Sequence, residues 1–402
     1  MKKVLFVIES LCGGGAERAL SNIVTHFPDD WHIDILINDE SLIEFPYKGT
    51  VLSLSRPRKR SLFYFWESII RRTFYLHKIK KRGDYDASIS FLDSSNISNV
   101  LSGNKYCKTI VSIRSDILSD NFKTVDKIVS LILIRFLYVY AHKIVSVSEE
   151  IKSGLLNELG ISEKKVQAIV NGFDCKWINT KINILPAGRT DIHAMKVEDK
   201  YLIITTGRMC ELKGQWHLIR AFSEVIRKEP QSMLMIVGDG ELRGYLTGLV
   251  KANGLEKHVI FTGWTRNPFG YYARADIFIL SSLYEGYPNA LAEAVCCGIP
   301  CIATDMHSGA REILAPSLEA AGQRVKDVSE EEYGILLPVC SGRKYSGTEP
   351  LEYGEKKMAE AILMLLHSHE KRTYYRKKSL ERSKDLDIKN VVDQWINLIL
   401  ED

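Results

Sequence analysis

The sequence contains no run of about 18 uncharged apolar residues, the length that a helix needs to cross a bilayer. The most apolar candidate, Ile128 to Ala141, is interrupted by Arg135. A secretory leader is not expected either, because residues 4–8 supply only five apolar residues between two lysines and Glu9. These features predict a cytoplasmic chain whose first apolar run is a buried strand.

A paired cysteine framework is also missing, since the eight cysteines are scattered through the chain. We therefore expect reduced thiols, as in a cytosolic protein. Cys296, Cys297 and Cys301 cluster, but no histidine or second cysteine pair stands at the spacing of metal ligands. We expect these three to be small core residues, and we expect no bound metal and no other cofactor.

A large excess of one charge sign is absent as well. Fifty-four basic and fifty acidic side chains leave a formal charge of +4, too small for a protein whose main partner is a nucleic acid. The charge is uneven, because residues 56–82 contain ten lysines and arginines and one acid, Glu67. Since this stretch carries +9, the rest of the chain carries −5, which argues further against nucleic acid.

A chain of 402 residues suggests two domains. Short runs that are apolar throughout alternate with helical patterns, which predicts parallel strands buried on both faces and joined by helices. Around residues 180–200 the pattern dissolves into turn residues, so we predict two doubly wound α/β units joined near residue 190. The predicted strands cover residues 4–8, 33–37, 87–92, 109–113, 143–147 and 166–170 in the first unit, and 201–205, 233–237, 259–261, 277–280 and 301–303 in the second. Two helices, 356–367 and 388–400, are predicted at the end.

Each predicted unit opens with a strand and a glycine-containing turn. In the first unit, Gly13-Gly14-Gly15 precedes a helix, which allows a phosphate or a sugar hydroxyl to approach the backbone. In the second, Gly207–Gly214 places Arg208 and Lys213 after a strand, where open α/β sheets bind ligands. A planar fork and a point charge suit a diphosphate. A plain turn and two solvated cations remain the alternatives.

The segment Gly238-Asp239-Gly240 follows another predicted strand. Its glycine spacing continues to Gly244, which is one residue too long for a dinucleotide fingerprint, and the expected acidic residue after the next strand is missing. We therefore predict that Gly238 and Gly240 line a nucleotide pocket with their backbone, and we do not expect a nicotinamide or flavin.

Two carboxylates stand eight positions apart near residue 290. Glu285 and Gly286 lie in a predicted loop, Pro288 suits the first turn of the following helix, and Glu293 falls inside that helix among apolar residues. Two acids so placed can hold hydroxyls at two points along an extended ligand. The alternative is a capping acid and a solvated acid, but an apolar helix argues against solvation of Glu293.

Four motifs together resemble retaining glycosyltransferase family 4. They are the Gly-Arg-x4-Lys-Gly of 207–214, the Val-Gly-Asp-Gly of 237–240, the Glu-Gly-x-Pro-x4-Glu of 285–293 and the Gly-x-Pro of 298–300. Segments 13–18, 145–148 and 171–174 resemble the first half of the same family, so the resemblance covers nearly the whole chain. It implies a GT-B fold, with two Rossmann-like domains facing a cleft: an acceptor domain at 1–190, completed by a helix at 386–402, and a donor domain at 191–385.

The resemblance also implies roles for individual residues. Arg208 and Lys213 would neutralise the departing diphosphate of a nucleotide sugar, with UDP as the default nucleotide, and no metal would be needed. Glu285 would hold hydroxyls of the donor sugar and Glu293 those of the ribose. The remaining donor-binding positions implied are Gly14, Gly15, Gly238, Gly240, Gly286, Pro288 and Asn289. The activity implied is transfer of a hexose or N-acetylhexosamine, with retention, to a lipid-linked or surface-polysaccharide glycan.

One position departs from the family pattern. Many members have a histidine after the strand matching residues 109–113, where this chain has Arg114 and, two residues later, Asp116. An arginine does not act as a base. We therefore expect Arg114 and Asp116 to contact donor or acceptor.

The basic stretch 56–82 also contains a helical pattern. Trp66, Ile69 and Leu76 fall on one apolar stripe with Ile70 and Phe74 beside it, and the cations Arg71, Arg72, Lys78 and Lys81 fall away from its centre. This composition is typical of a helix in an anionic bilayer surface, and the alternative is a helix packed on the sheet. We expect a peripheral protein at the inner face of the plasma membrane.

Two other activities fit the same motifs. Another GT-B enzyme, such as a nucleotide-sugar epimerase, would use the donor without an acceptor. A catalytically silent subunit would bind a sugar nucleotide and anchor a partner enzyme, although the intact Arg208, Lys213, Glu285 and Glu293 argue against it.

Overall fold

A computed structural model describes residues 2–55, 62–115, 124–184 and 200–401. The chain forms two compact units: Met1–Gly172 with Asp387–Asp402, and Phe173–Leu386. The division therefore comes earlier than the predicted residue 190, which lies outside the described residues. The reason is local, because the helix Cys175–Lys181 buries Cys175 and Ile178 within the second unit.

The first unit is built on a seven-stranded parallel sheet. Its strand order is β3-β2-β1-β4-β5-β6-β7, the arrangement that right-handed crossovers from a central β1 produce. Six of the strands match predicted ones, whereas β3 was missed because it is a four-residue edge strand that is only half-buried. The strands are β1 Lys3–Val7, β2 His32–Ile37, β3 Thr50–Ser53, β4 Ala87–Phe91, β5 Lys108–Ile113, β6 Lys143–Ser146 and β7 Val166–Ala168.

Helices cover both faces of this sheet. On one face, α1 packs beside the final helix α14, whose Trp395 lies in a core cluster with Phe6 of β1. On the other face, Leu76 of α2 packs against Leu5 and Val7 of the same strand. Because side chains alternate along a strand, these contacts place α1 with α14, and α2, on opposite layers. The helices of this unit are α1 Gly15–His26, α2 Leu62–Arg82, α3 Asp93–Leu101, α4 Thr124–Phe136, α5 Glu149–Asn157 and α14 Ile388–Leu400.

Helix α2 differs from its predicted orientation. Ile69 and Leu76 are buried as expected, but Arg72 is buried as well, and it donates hydrogen bonds to Asn38 at 2.7 and 3.2 Å. The exposed apolar stripe instead runs through Trp66, Ile70 and Phe74. The prediction that Trp66, Ile69 and Leu76 share one apolar stripe was therefore wrong. The helix has one apolar side that faces the sheet and a second that faces solvent.

The second unit repeats the architecture. Its sheet has the order β10-β9-β8-β11-β12-β14-β13, parallel except for β13. The predicted doubly wound α/β fold class is thus confirmed in both units. The strands are β8 Tyr201–Thr206, β9 Ser232–Val237, β10 Val259–Gly263, β11 Ile277–Leu280, β12 Cys301–Thr304, β13 Ser329–Glu330 and β14 Ile335–Leu337. The helices are α6 Cys175–Lys181, α7 Gln215–Lys228, α8 Arg243–Ala252, α9 Phe269–Tyr272, α10 Asn289–Cys296, α11 Ala310–Leu314, α12 Tyr353–Leu366 and α13 His369–Arg382.

The cysteines depart from expectation in one respect. Cys175 of α6 and Cys296 of α10 form a disulfide, with Cα atoms 5.3 Å apart. The prediction that all eight thiols are reduced was therefore wrong for this pair, because residues 121 positions apart give no sequence signal. Cys301 is a buried free thiol, as expected of a small core residue.

Helices long and apolar enough to span a membrane are not found among the described residues.

Candidate functional site

The predicted glycine loops of the second unit pack against one another at the carboxyl edge of the sheet. The Gly207 amide donates to the Val237 carbonyl at 2.9 Å, and the Met209 amide donates to the Asp239 carbonyl at 2.9 Å. A Cβ atom at Gly238 would overlap the carbonyl of Gly207. The loops after β8 and β9 are therefore joined, and glycine is required because backbone lies directly on backbone.

Lys213 and Glu285 come from different motifs and form an ion pair. Lys213 ends a short 3₁₀ turn after β8, and Glu285 lies in the loop after β11. Their side chains are only 14% and 12% exposed. The same Glu285 oxygen accepts a hydrogen bond from Ser282 Oγ at 2.9 Å. Sequence reasoning identified both charges but missed Ser282, because a serine after a strand carries no distinctive pattern.

Backbone contacts hold the two loops together beneath this ion pair. The Leu283 amide donates to the Leu212 carbonyl at 2.7 Å, and Ser281 Oγ donates to the Lys213 carbonyl at 2.9 Å. Gly214 follows Lys213 with φ at +54°, which lets the chain reverse into α7. The ion pair therefore has a rigid base, and the position of the Lys213 ammonium is fixed by the fold.

Arg208 projects from the same edge and is exposed. Within the described part of the chain it makes no ion pair, in contrast to the neighbouring Arg243, which lies 3.3 Å from Asp239. A cation without an ion-pair partner among the described residues therefore shares the loop after β8 with a lysine whose partner is a carboxylate. Such a pair of cations can accept a dianion if the Lys213–Glu285 pair opens or is shared.

The second carboxylate lies inside α10. Pro288 occupies the N-cap position and the helix begins at Asn289, as the sequence indicated. Glu293 is buried with 4% exposure, which excludes the interpretation as a solvated acid. Burial of the Cys297 thiol, and secondly the nearby charge of Glu293, raise the pKa of that thiol well above its usual range.

The loop after β12 packs against the loop that contains Glu285. Ser308 Oγ donates a hydrogen bond to the Gly286 carbonyl, and a Cβ atom at Gly309 would lie 2.5 Å from Pro288. Gly309 has φ at +84°. Residues 281–293 are thus packed between two further loops, and the Gly286 and Pro288 positions are fixed by these contacts.

Gly14 and Gly15 belong to the first unit. Gly14 is the N-cap of α1, and its amide donates to the Cys12 carbonyl at 3.0 Å. A Cβ atom at Gly14 would overlap the carboxylate of Glu17, so that side chain lies directly over this backbone. The predicted contact of these glycines with a donor stays a prediction.

Arg114 follows β5 in the first unit and is enclosed. Its Nη1 donates to Asn171 Oδ1 at 2.8 Å, and its guanidinium lies 4.4 Å from the ring centroid of Phe91. Its Nε and Nη2 are buried and lack a hydrogen-bond partner among the described residues. Burial lowers the pKa of Arg114 to about 9, so it stays a cation at neutral pH. Asp116 lies outside the described residues.

One group of metal-ligand side chains comes together in the described ranges: His217, Cys340 and Glu352. His217 Nδ1 lies 2.8 Å from an oxygen of Glu355, and Arg220 Nε donates to that same oxygen at 2.8 Å. These contacts join α7 to α12, and the cation Arg220 lies beside Glu355, the carboxylate that His217 contacts.

Comparison with known proteins agrees with this geometry. Residues 190–331 match the family model described as "Glycosyl transferases group 1". An uncharacterized glycosyltransferase of Methanocaldococcus jannaschii is 29% identical over 364 residues, which make up 88% of each chain. The N-acetylgalactosamine-N,N'-diacetylbacillosaminyl-diphospho-undecaprenol 4-alpha-N-acetylgalactosaminyltransferase of Campylobacter jejuni is 26% identical over 392 residues, 96% of each. The structure of HepE from Anabaena with UDP and glucose superposes with a TM-score of 0.75 at 18% identity, over 100% of both chains.

The chain has the GT-B fold and is similar in sequence to glycosyltransferases. The predicted fold and the predicted class of enzyme are thereby confirmed. In this glycosyltransferase the joined loops after β8, β9, β11 and β12 form the candidate donor site. The retaining outcome, the independence from metal and the identity of the donor stay predictions.

Proposed function

We propose that this glycosyltransferase is a retaining family 4 enzyme that moves a hexose or N-acetylhexosamine from a UDP-linked sugar to a lipid-linked or surface-polysaccharide glycan. The observation that carries the proposal is the ion pair of Lys213 and Glu285, together with the exposed Arg208 in the same loop as Lys213. The names of relatives support the substrates: the Campylobacter enzyme is named for a diphospho-undecaprenol acceptor, and the HepE structure holds UDP and glucose.

Arg208 and Lys213 would bind the diphosphate and stabilise it as it leaves. Both residues follow β8. Arg208 is exposed, whereas Lys213 is paired with Glu285, which also accepts a hydrogen bond from Ser282. The diphosphate would take over Lys213, which frees Glu285 to accept hydrogen bonds from hydroxyls of the donor sugar. Fixed cations placed where charge develops are an effective means of lowering a barrier without a metal.

The nucleoside end of the donor would extend along α10. Glu293 is buried in that helix and would accept hydrogen bonds from the ribose hydroxyls. The backbone of Gly238 and Gly240 would line the nucleotide pocket. Gly286, Pro288 and Asn289 would shape the turn between sugar and ribose.

The chemical step follows from this arrangement. The bond between the anomeric carbon and the diphosphate oxygen breaks, and its electron pair goes to the diphosphate, where Arg208 and Lys213 balance the charge. The acceptor oxygen bonds to the anomeric carbon on the same face, and its proton goes to the departing phosphate oxygen. Retention follows without a covalent enzyme intermediate, and neither a base nor a metal is required.

The first unit would supply contacts to either substrate. Gly14 and Gly15 would approach the diphosphate at the start of α1. Arg114 would contact donor or acceptor, and its two unpartnered nitrogens can donate to an anionic or hydroxyl group. Asp116 is proposed for the same contact.

Helix α2 would hold the enzyme at the inner face of the plasma membrane. Its exposed stripe of Trp66, Ile70 and Phe74 lies beside the exposed cations Lys78 and Lys81. An apolar stripe with cationic flanks binds anionic lipid surfaces. This position would bring a lipid-linked acceptor to the first unit.

Release of UDP from UDP-sugars, measured with and without a polyprenyl-diphosphate-linked sugar, tests the proposal. Wild type should turn over one donor only when the acceptor is present, with or without a chelator, and the product should keep the anomeric configuration. Glu285→Ala should lose most of this activity. Glu256→Ala, which removes an exposed carboxylate beyond α8, serves as the matched control. Equal activity of Glu285→Ala and wild type would reject the assignment, and loss with a chelator would reject metal independence.

A further inference from the structure

A second exposed apolar stripe lies on α4, far from α2 in the sequence. Ile128, Val129, Ile132 and Phe136 are between 51% and 66% exposed. They recur at helical spacing, so they share one side of the helix, while Ile134 on the other side is buried. Four large apolar side chains in one exposed stripe mark an interaction surface more often than a solvated one.

Helices α2 and α4 belong to the same layer of the first unit. Successive right-handed crossovers β3-α2-β4, β4-α3-β5 and β5-α4-β6 place all three helices on one face of the sheet. Helix α3 lies between, and residues 94–100 of that helix are buried throughout. Tyr138, just after α4, donates to Asp93 of α3 at 2.8 Å, which links the two helices directly.

The two exposed stripes therefore face away from the same sheet. On α2 the stripe consists of Trp66, Ile70 and Phe74, and on α4 it consists of the four residues above. Tyr140, also exposed, extends the α4 side. We call these residues together the two-helix face. Because α2 and α4 follow β3 and β5, both helices begin at the carboxyl edge of the sheet, the edge where Arg114 also stands.

The charges around the two-helix face favour lipid over a protein partner. Arg71, Lys78, Lys81 and Arg135 are exposed along the two helices. Among the described side chains of these helices there is one carboxylate, Glu67, and Arg71 Nε lies 3.0 Å from it. Among these described side chains, an apolar surface with a cationic border and one acid paired with an arginine matches an anionic bilayer.

We propose that α4 is a second membrane-contacting helix, and that the two-helix face lies in the headgroup region of an anionic bilayer. The proposal rests on the membrane contact proposed above for α2 and extends it. A protein bound through one helix can roll about that helix on the membrane, whereas contacts through two helices fix the orientation of the protein. The carboxyl edge of the first sheet would then stand at a constant height above the lipid, within reach of a lipid-linked acceptor.

Flotation of the full-length protein with phosphatidylcholine vesicles, with and without phosphatidylglycerol, tests the proposal. Wild type should bind the vesicles that contain phosphatidylglycerol. The double variant Ile132→Ser/Phe136→Ser keeps α2 intact. Its partition coefficient should fall about tenfold or more, because two apolar side chains that would enter the bilayer are lost. Leu400→Ser is the matched control: this residue is 48% exposed on α14, in the opposite layer of the same unit, and its loss should leave binding unchanged.

Several results would overturn the proposal. Wild type that does not float, or an Ile132→Ser/Phe136→Ser variant that floats like wild type, contradicts it. A dimer seen by light scattering that the double variant dissolves would assign the face to a second copy of the chain. If the double variant melts early, Ile128→Ser and Phe136→Ser singly must each lower partition without a change in melting. Vesicle binding needs no donor, so a wild type that floats but transfers no sugar refutes the proposed function and leaves this inference intact.

Discussion

Replacing Lys213 by methionine removes the cation at the centre of the candidate donor site and keeps the length of the side chain. In the structure Lys213 contacts Glu285, and its aliphatic chain lies close enough to Gly207 that a Cβ there would be 3.0 Å from Cε. Methionine can occupy the same space, so the variant isolates the loss of charge. Glu285 keeps its hydrogen bond from Ser282 but loses its partner.

The Lys213→Met substitution should affect both the transfer rate and the stability of the free protein. If Lys213 balances the leaving diphosphate, its removal resembles the loss of one donor to a developing anion, which lowers kcat by about 10²–10³, or about 3–4 kcal/mol in the barrier. In the free protein the variant leaves one mostly buried carboxylate unpaired, so we expect a loss of about 1–2 kcal/mol in the free energy of unfolding. The rate effect should therefore exceed the stability effect.

Initial rates of UDP release and urea unfolding curves measure the two quantities. Lys344→Met is the control, because Lys344 pairs with Glu211 of the same short turn at 2.6 Å but both side chains are exposed. That surface pair is worth little, so the rate should change less than about twofold. The double variant Lys213→Met/Glu285→Gln should recover stability but no activity. If Lys213→Met kept a rate within a few-fold of wild type, the diphosphate role would be wrong.

The remaining predictions concern other parts of the molecule. Glu293→Gln should weaken binding of UDP about tenfold or more in calorimetry, because the variant weakens a buried acceptor of the ribose hydroxyls. UDP-sugars that differ only in their sugar should lose the same factor in affinity, and unchanged affinity would contradict the ribose contact. Arg114→Met should lower the transfer rate but not stability at neutral pH, because it removes a buried cation with two unpartnered nitrogens. Burial lowers the pKa of Arg114 from its usual range to about 9 in the folded protein, so above pH 9 the unfolded chain holds more protons than the folded one. The free energy of unfolding of the wild type should therefore rise relative to that of Arg114→Met as the pH increases above 9; a constant difference would show that Arg114 is not desolvated. Cys175→Ala should lower the free energy of unfolding by up to about 4 kcal/mol under oxidising conditions, because the disulfide closes a long loop; dithiothreitol should abolish the difference, and identical unfolding curves without it would show that the thiols are not paired.

Most of the fold follows from local patterns. Buried parallel strands are apolar throughout, so runs such as residues 4–8 and 277–280 predicted β1 and β11 directly. Helix α13 was missed because, in a strongly charged sequence, only Tyr375 and Ser379 are buried and no apolar period appears. The strand β14, Ile335–Leu337, was also missed.

The sequence predicted only some features of the candidate site. Glycines, charges and their spacing indicate which backbone positions a ligand can approach, so they predicted Arg208, Lys213 and Glu285 as candidate site residues. The sequence does not report which side chains meet, and the Lys213–Glu285 ion pair joins residues 72 positions apart. The predicted orientation of α2 was wrong for a related reason. Arg72 donates hydrogen bonds to Asn38 and to serines, so it is buried where its charge alone predicts exposure.

A crystal structure of the enzyme with a UDP-sugar would show whether Arg208 and Lys213 hold the diphosphate. We expect diphosphate oxygens within about 3 Å of the Arg208 guanidinium and the Lys213 ammonium, with Glu285 turned to the sugar hydroxyls and no metal between the phosphates and the protein. A diphosphate bound away from both cations, or held through a metal ion, would contradict it.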